Sequence, residues 1–341
     1  MKRRLHMLVL SAAAAVPAAV AGPYSDAADD PLNAYDPPVP GFTGPGGDGL
    51  NVPENRLNPR FTAWASEVVA YQPADSVDSL WADPAKALGP VTGDQFDIVS
   101  LGERDATALD ASAAPGSITL AFPRPIANGP GADFAVFENG FHSYVELAFV
   151  EVSSDGHTFA RLPARCLTAA PVAPYSTQDP TDLYNLAGKH LNNDGDCWGT
   201  PFDLEHLAAH PAVIAGTVDL LDITRVRIVD IPGRGDFTDS TGAPVFDVWT
   251  TFGSGGFDLE AVGVIHQREQ LEYGTPAAGL LPMWCLSSSN RVYQLASADV
   301  PVTGTWQPEG VPVTGTGGIL HWSVPEPPGA RCFRLEITVA P

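Results

Sequence analysis

Apolar residues in this chain arrive in short runs that alternate with polar ones, and turn formers close the runs. In GSITLAF, Ile118, Leu120 and Phe122 alternate with Thr119 and Ala121. A period of two puts one set of side chains on one face of an extended strand. A helical period never persists, and 33 Gly and 33 Pro would interrupt long helices. The pattern predicts an all-β fold.

Strands are expected within ASEVVAYQP, DIVSLG, GSITLAF, DFAVFEN, VELAFVEVSS, ITRVRIVDI and FDLEAVGVIHQ. Asp155-Gly156 separates two apolar runs, a hairpin signal, with Glu151 expected on the solvent face of the first. The boundaries drawn are an extended Pro/Gly-rich leader over 22–60 and a β-sandwich over 61–268. A long loop excursion over 164–216 carries one short helix near Leu204. Excursions of that size from a β-domain are usually functional. A second, small β-sandwich is expected over 272–341.

The chain opens with Lys2, Arg3 and Arg4, an apolar stretch, and Ala19-Val20-Ala21, the pattern of a cleaved signal peptide over 1–21. The mature protein is therefore expected outside the cytoplasm: periplasmic, cell-surface or extracellular, with no membrane span once the signal is removed. A formal net charge of −22 leaves no basic stripe for nucleic acid. In an oxidising compartment the four cysteines could form disulfides. Of three possible connectivities, sequence order favours Cys166 with Cys197 and Cys285 with Cys332, each pair within one unit.

The segments GSITLAFPRPI, FVEVSSDGHTFARL, ITRVRIVDI and FDLEAVGVI, in that order, resemble galactose-binding-like jelly rolls of the discoidin and carbohydrate-binding-module type. With DPAKALGP, GPGADFAVFENGF, NLAGKH and GTPFDL, the stretch 61–266 resembles an ill-characterised family of exported bacterial cell-surface proteins. The C-terminal unit resembles small accessory β-modules of such proteins. The resemblance implies a galactose-binding-like jelly roll, with a structural calcium held between its first and last strands.

Acidic residues at strand ends suit such an ion, because calcium takes six to eight oxygen ligands. The candidate set is Glu67, Glu138, Asn139, Asp258 and Glu260; the last two lie two apart and are expected on one face. Tyr144, Tyr184, Trp198 and Trp249 are candidates for a ligand-binding rim, since exposed aromatic rings suit sugar stacking. No nucleophile elbow, phosphate-binding loop or dinucleotide fingerprint occurs. The leading expectation is a non-enzymatic binding protein for a glycan or another small extracellular ligand. A structural or adhesive protein engaging other surface proteins is the alternative, and a hydrolase with its site in the excursion a third.

Overall fold

The computed structural model describes residues 22–24 and 36–339, apart from 75–76, 141–143, 194, 253, 288–290, 301–303 and 317. The signal peptide expected over 1–21 lies outside the described residues. The chain divides into two compact units, Met1–Gln267 and Arg268–Pro341. Both are built of strands; the two α-helices among the described residues, Ala106–Asp110 and Pro211–Ile214, are short.

Unit 1 has twelve principal strands. They are β1 (Val39–Pro40), β2 (Ala63–Trp64), β3 (Glu67–Gln72), β4 (Val99–Ser100), β5 (Ser117–Ile126) and β6 (Phe134–Asn139). The others are β7 (Ala148–Ser153), β8 (Ala160–Arg161), β9 (Leu191–Asn193), β10 (Asp196–Phe202), β11 (Ile223–Asp230) and β12 (Asp258–Val264). A five-stranded antiparallel sheet runs β8-β7-β11-β5-β3. A seven-stranded sheet runs β1-β10-β9-β6-β12-β2, with β4 also pairing β12.

The two sheets close on one apolar core. Ile118, Leu120, Val150, Val152, Val226 and Ile228 of one meet Phe134, Val136, Phe202, Leu259, Val262 and Val264 of the other. Further layers cover the outer faces. Val39, Phe42 and Phe61 pack with Ala135, Phe137 and Ala261 over the seven-stranded sheet. Ala164, Cys166, Leu183 and Leu186 pack with Val145, Leu147 and Phe149 over the end of the five-stranded one. Every residue of β6 and β7 is consequently buried. Strands covered on both faces read as continuous apolar runs, as FAVFEN and AFVEVS do.

The leader and the excursion are thus structural. The leader contributes β1, and the excursion contributes β9 and β10, which lie between β1 and β6. DCWGTPF hides β10 because Gly199 and Pro201 argue against a strand. Pro201 is tolerated opposite Ala135 near the strand's end. The helix expected near Leu204 is one 3₁₀ turn, Leu204–Leu207, capped by Asp203. Asp155 closes the β7–β8 hairpin; backbone N–H groups of Thr158 and His157 hold its carboxyl down at about 2. The pairing of Val152 with Ala160 makes this turn longer than a two-residue one.

The cysteines correct an expectation, for all four are free. Cys166 belongs to the layer outside the five-stranded sheet and Cys197 to the layer outside the seven-stranded one. Two packed sheets separate them, and a bridge needs Cα atoms within about 7 Å.

Unit 2 contains β13 (Leu280–Leu286), β14 (Arg291–Ala298), β15 (Ile319–Pro325) and β16 (Cys332–Val339). β13 pairs with β15 and β14 with β16, in separate sheets. Met283, Leu295 and Val324 pack between them. Cys285 and Cys332 fall on different sheets of this unit, and their expected bridge is also absent.

Candidate functional site

Three core-facing rows of unit 1 end in acids. On β6 the inward row is Phe134, Val136, Glu138; on β11 it is Val226, Ile228, Asp230. On β7 it is Ala148, Val150, Val152, and Glu146 continues it backwards. The period of two that aims apolar side chains inward therefore aims these carboxylates inward too. Asp230 pairs with Ala148 across β11 and β7, so all three rows end at the same end of the sandwich.

Glu138 and Asp230 are 0% and 1% exposed. Both carboxylate oxygens of Glu138 lack any hydrogen-bond partner, as do Oδ2 of Asp230, Oδ1 of Asp258 and Oε2 of Glu260. An unsatisfied buried carboxylate is among the costliest groups a fold can carry.

The remaining oxygens tie loops to this end. Gly256 N donates to Glu146 Oε1 at 2.8 Å and Phe257 N to Asp230 Oδ1 at 2.9 Å. Leu147 N donates to Asp247 Oδ2 at 2.8 Å, and Thr251 Oγ1 to Glu103 Oε2 at 3.3 Å. Glu260 departs from the expected alternation. It is the extra residue of a β-bulge between Leu259 and Ala261, and its Oε1 accepts from Thr92 N and Gly93 N, both at 2.6 Å.

Burial and mutual repulsion act together on these acids. Glu138 is pushed well above the usual range by burial, then by Glu146, Asp258 and Glu260. Burial also raises Glu146 and Asp247 strongly. It takes Asp230 to about 7, and Asp258 and Glu103 each to about 8. Arg104 opposes the rise at Asp230.

Of the residues expected from the sequence, Asp258 and Glu260 lie near enough to Glu138 for their charges to raise it. Asn139 follows Glu138 at the end of β6 and donates to Gln95 O at 3.4 Å. Glu67 stands apart, exposed at the start of β3 in the opposite sheet, opposite Ala121. Glu103, Glu146, Asp230 and Asp247 were missed by sequence reasoning. The signal that finds Glu146 and Asp230 is an acid on the apolar phase of an alternating strand: E-x-A-x-V-x-V and V-x-I-x-D. Among the described residues no group of three or more His, Cys, Asp or Glu side chains stands ready-made to hold a metal.

The aromatic candidates divide between places. Tyr144 stacks on exposed Tyr175, with ring centroids 6.3 Å apart, and feels the charges of Glu146, Glu103 and Asp247. Trp249 donates Nε1–H to Arg104 O at 3.0 Å. Both rings therefore border the acidic end. Trp198 instead packs beneath the backbone of Gly49, where a Cβ would come within 2.5 Å of its ring. Tyr184 stacks on Tyr24 and lines a cavity elsewhere on unit 1.

No family model matches the chain, and a search of curated proteins finds no match.

Proposed function

We propose that this chain is an exported, non-enzymatic binding protein whose first unit takes up calcium at its acidic end. One observation carries the reading: Glu138, with no exposed surface, has two oxygens with no partner and faces other acids. A hard divalent cation supplies what those oxygens lack, and carboxylates at the ends of several segments are the donors calcium prefers. Glu138, Glu146, Asp230, Asp258 and Glu260 would hold it. Protonation is the competing way to satisfy the same acids.

Tyr144, Tyr175 and Trp249 border this end and suit a glycan or another small extracellular ligand by ring stacking. The resemblance to galactose-binding-like jelly rolls in exported bacterial surface proteins agrees with that ligand class. Sandwich architecture alone does not choose a ligand.

The test is a calcium titration of metal-free intact chain by calorimetry, with elemental analysis of the dialysed complex. Saturable binding that Glu138→Gln abolishes is the expected result. Absence of bound metal, with a melting curve indifferent to calcium, would leave the acids as protonated core residues and remove the reading.

A further inference from the structure

The other end of β6 carries a different site. Ala132, just ahead of β6, lines a cavity of about 470 Å³ with Val39, Arg60, Tyr184, Asp203 and His206. That volume falls in the range of small-ligand pockets, about 300–1,000 Å³. Glu138 lies near the far end of the strand, so the cavity and the acidic cluster occupy opposite ends of the seven-stranded sheet.

Two features of the lining point to an anion. The first is Arg60, whose guanidinium has no ion pair or side-chain hydrogen bond among the described residues, in a chain of net charge −22. Most other arginines of unit 1 are engaged: Arg161 and Arg227 by Glu151, Arg165 by Asp239, and Arg234 by Asp110 and Asp236.

The second is the polarity of a short hydrogen-bond chain. Asn185 Nδ2 donates to Pro163 O at 2.8 Å, which fixes the orientation of that amide. Its second hydrogen faces His206 Nδ1 at 3.5 Å, making Nδ1 the acceptor. With Nδ1 accepting, His206 carries a proton on Nε2 and donates it to the Tyr184 oxygen, 3.1 Å away. The phenolic O–H is left to donate into the cavity. It stays protonated, since burial and the charges of Asp36 and Asp203 push Tyr184 up to about 12.

The geometry points to a binding site for a small hydroxycarboxylate of the uronic-acid class. Arg60 and the Tyr184 hydroxyl grip the carboxylate, as charge-assisted donors do. Asp203 accepts from a ligand hydroxyl; its Oδ1 is already held by Glu205 N at 2.8 Å, so the carboxylate is fixed in place. Val39, Ala132 and Pro201 give the apolar wall against which a sugar ring lies. The site is independent of the proposed calcium and does not need it.

The test is calorimetric titration of the intact chain with D-glucuronate and, in parallel, D-glucose. Glucuronate is expected to bind saturably and at least tenfold more tightly than glucose. Arg60→Ala, at an exposed side chain, should remove that preference without moving the melting curve. Tyr184→Phe keeps the ring and should weaken glucuronate severalfold. Glu138→Gln should leave this binding unchanged, which separates it from the calcium site. Equal affinity for both sugars, no binding of either, or full glucuronate affinity in Arg60→Ala would overturn the assignment.

Discussion

Glu151 Oε2 accepts Nε–H of Arg227 at 2.6 Å, and the two residues are direct neighbours across β7 and β11. On the other side Arg161, its partner across β7 and β8, donates to Oε1 at 2.9 Å. One carboxylate thus ties three strands together on the outer face of the five-stranded sheet. The two guanidinium groups lie over Phe159 and Phe149. Glu151 is on the outward row, as the alternation predicts, but at 7% exposure it is not on a solvent face. Replacement by Ala is expected to cost about 1.5–3 kcal/mol of unfolding free energy, the range for hydrogen bonds to charged groups. Side-chain exposures of 42% for Arg161 and 34% for Arg227 put the effect toward the lower end and make it shrink in high salt. Urea unfolding of wild type and Glu151→Ala at two salt concentrations measures it.

The strands were legible wherever a single face decides the sequence. Ser117–Ile126 and Ile223–Asp230 alternate because one row meets the core. Long-range packing was not legible. Nothing local in residues 39–61 says that Val39, Phe42 and Phe61 cover Phe137, and a strand containing Gly199 and Pro201 has no propensity signal. The site was half legible for the same reason. Glu138, Asp258 and Glu260 stood out as acids at strand ends. Asp247 and Glu103 reach the cluster from loops, whose positions only the assembled fold determines.

Cysteine chemistry gives a direct prediction. Intact chain purified without reductant and then denatured should titrate four thiols, since none of the four is bridged. In the native state Cys166, Cys197 and Cys285 should react slowly because they are buried, and Cys332 fastest because it is the most accessible. Burial also pushes the Cys285 thiol up to about 12, which suppresses its thiolate further. Mass spectrometry after alkylation, with and without denaturant, reads both quantities. A cystine peptide joining 166 to 197 would contradict the separation of their two layers.

Gly256 should tolerate no side chain. Its φ of 78° lies in the left-handed region, and a Cβ would come 2.9 Å from Asp230 Oδ1 and 3.0 Å from Gly102 O. Its N–H also holds Glu146. Gly256→Ala is expected to lose about 1–3 kcal/mol from backbone strain and to weaken calcium uptake, because it displaces two of the proposed ligands. Gly242, with φ of 85° and nothing within 4 Å of its would-be Cβ, is the control. Gly242→Ala carries the strain alone, so it should lower stability by the smaller amount and leave calcium affinity unchanged.

The buried acids fix the direction of the pH response. Burial raises Asp230 from an ordinary 3.8 to about 7, Asp258 from 3.8 to about 8 and Glu103 from 4.5 to about 8. Between roughly pH 4 and 8 the unfolded chain has released these protons while the fold still holds them. The folded state therefore binds more protons in that window, and unfolding free energy falls as pH rises. Calcium takes the place of the departing protons, so its stabilisation should grow over the same interval. Melting temperature in chelator is expected to decline from pH 5 to pH 8, and the decline should flatten in millimolar calcium. Glu138→Gln removes a carboxyl whose ionisation burial opposes and should melt above wild type in chelator at pH 8, yet gain nothing from calcium. A chelated melting temperature that instead rises from pH 5 to 8 would show that the acids are paired in some other way.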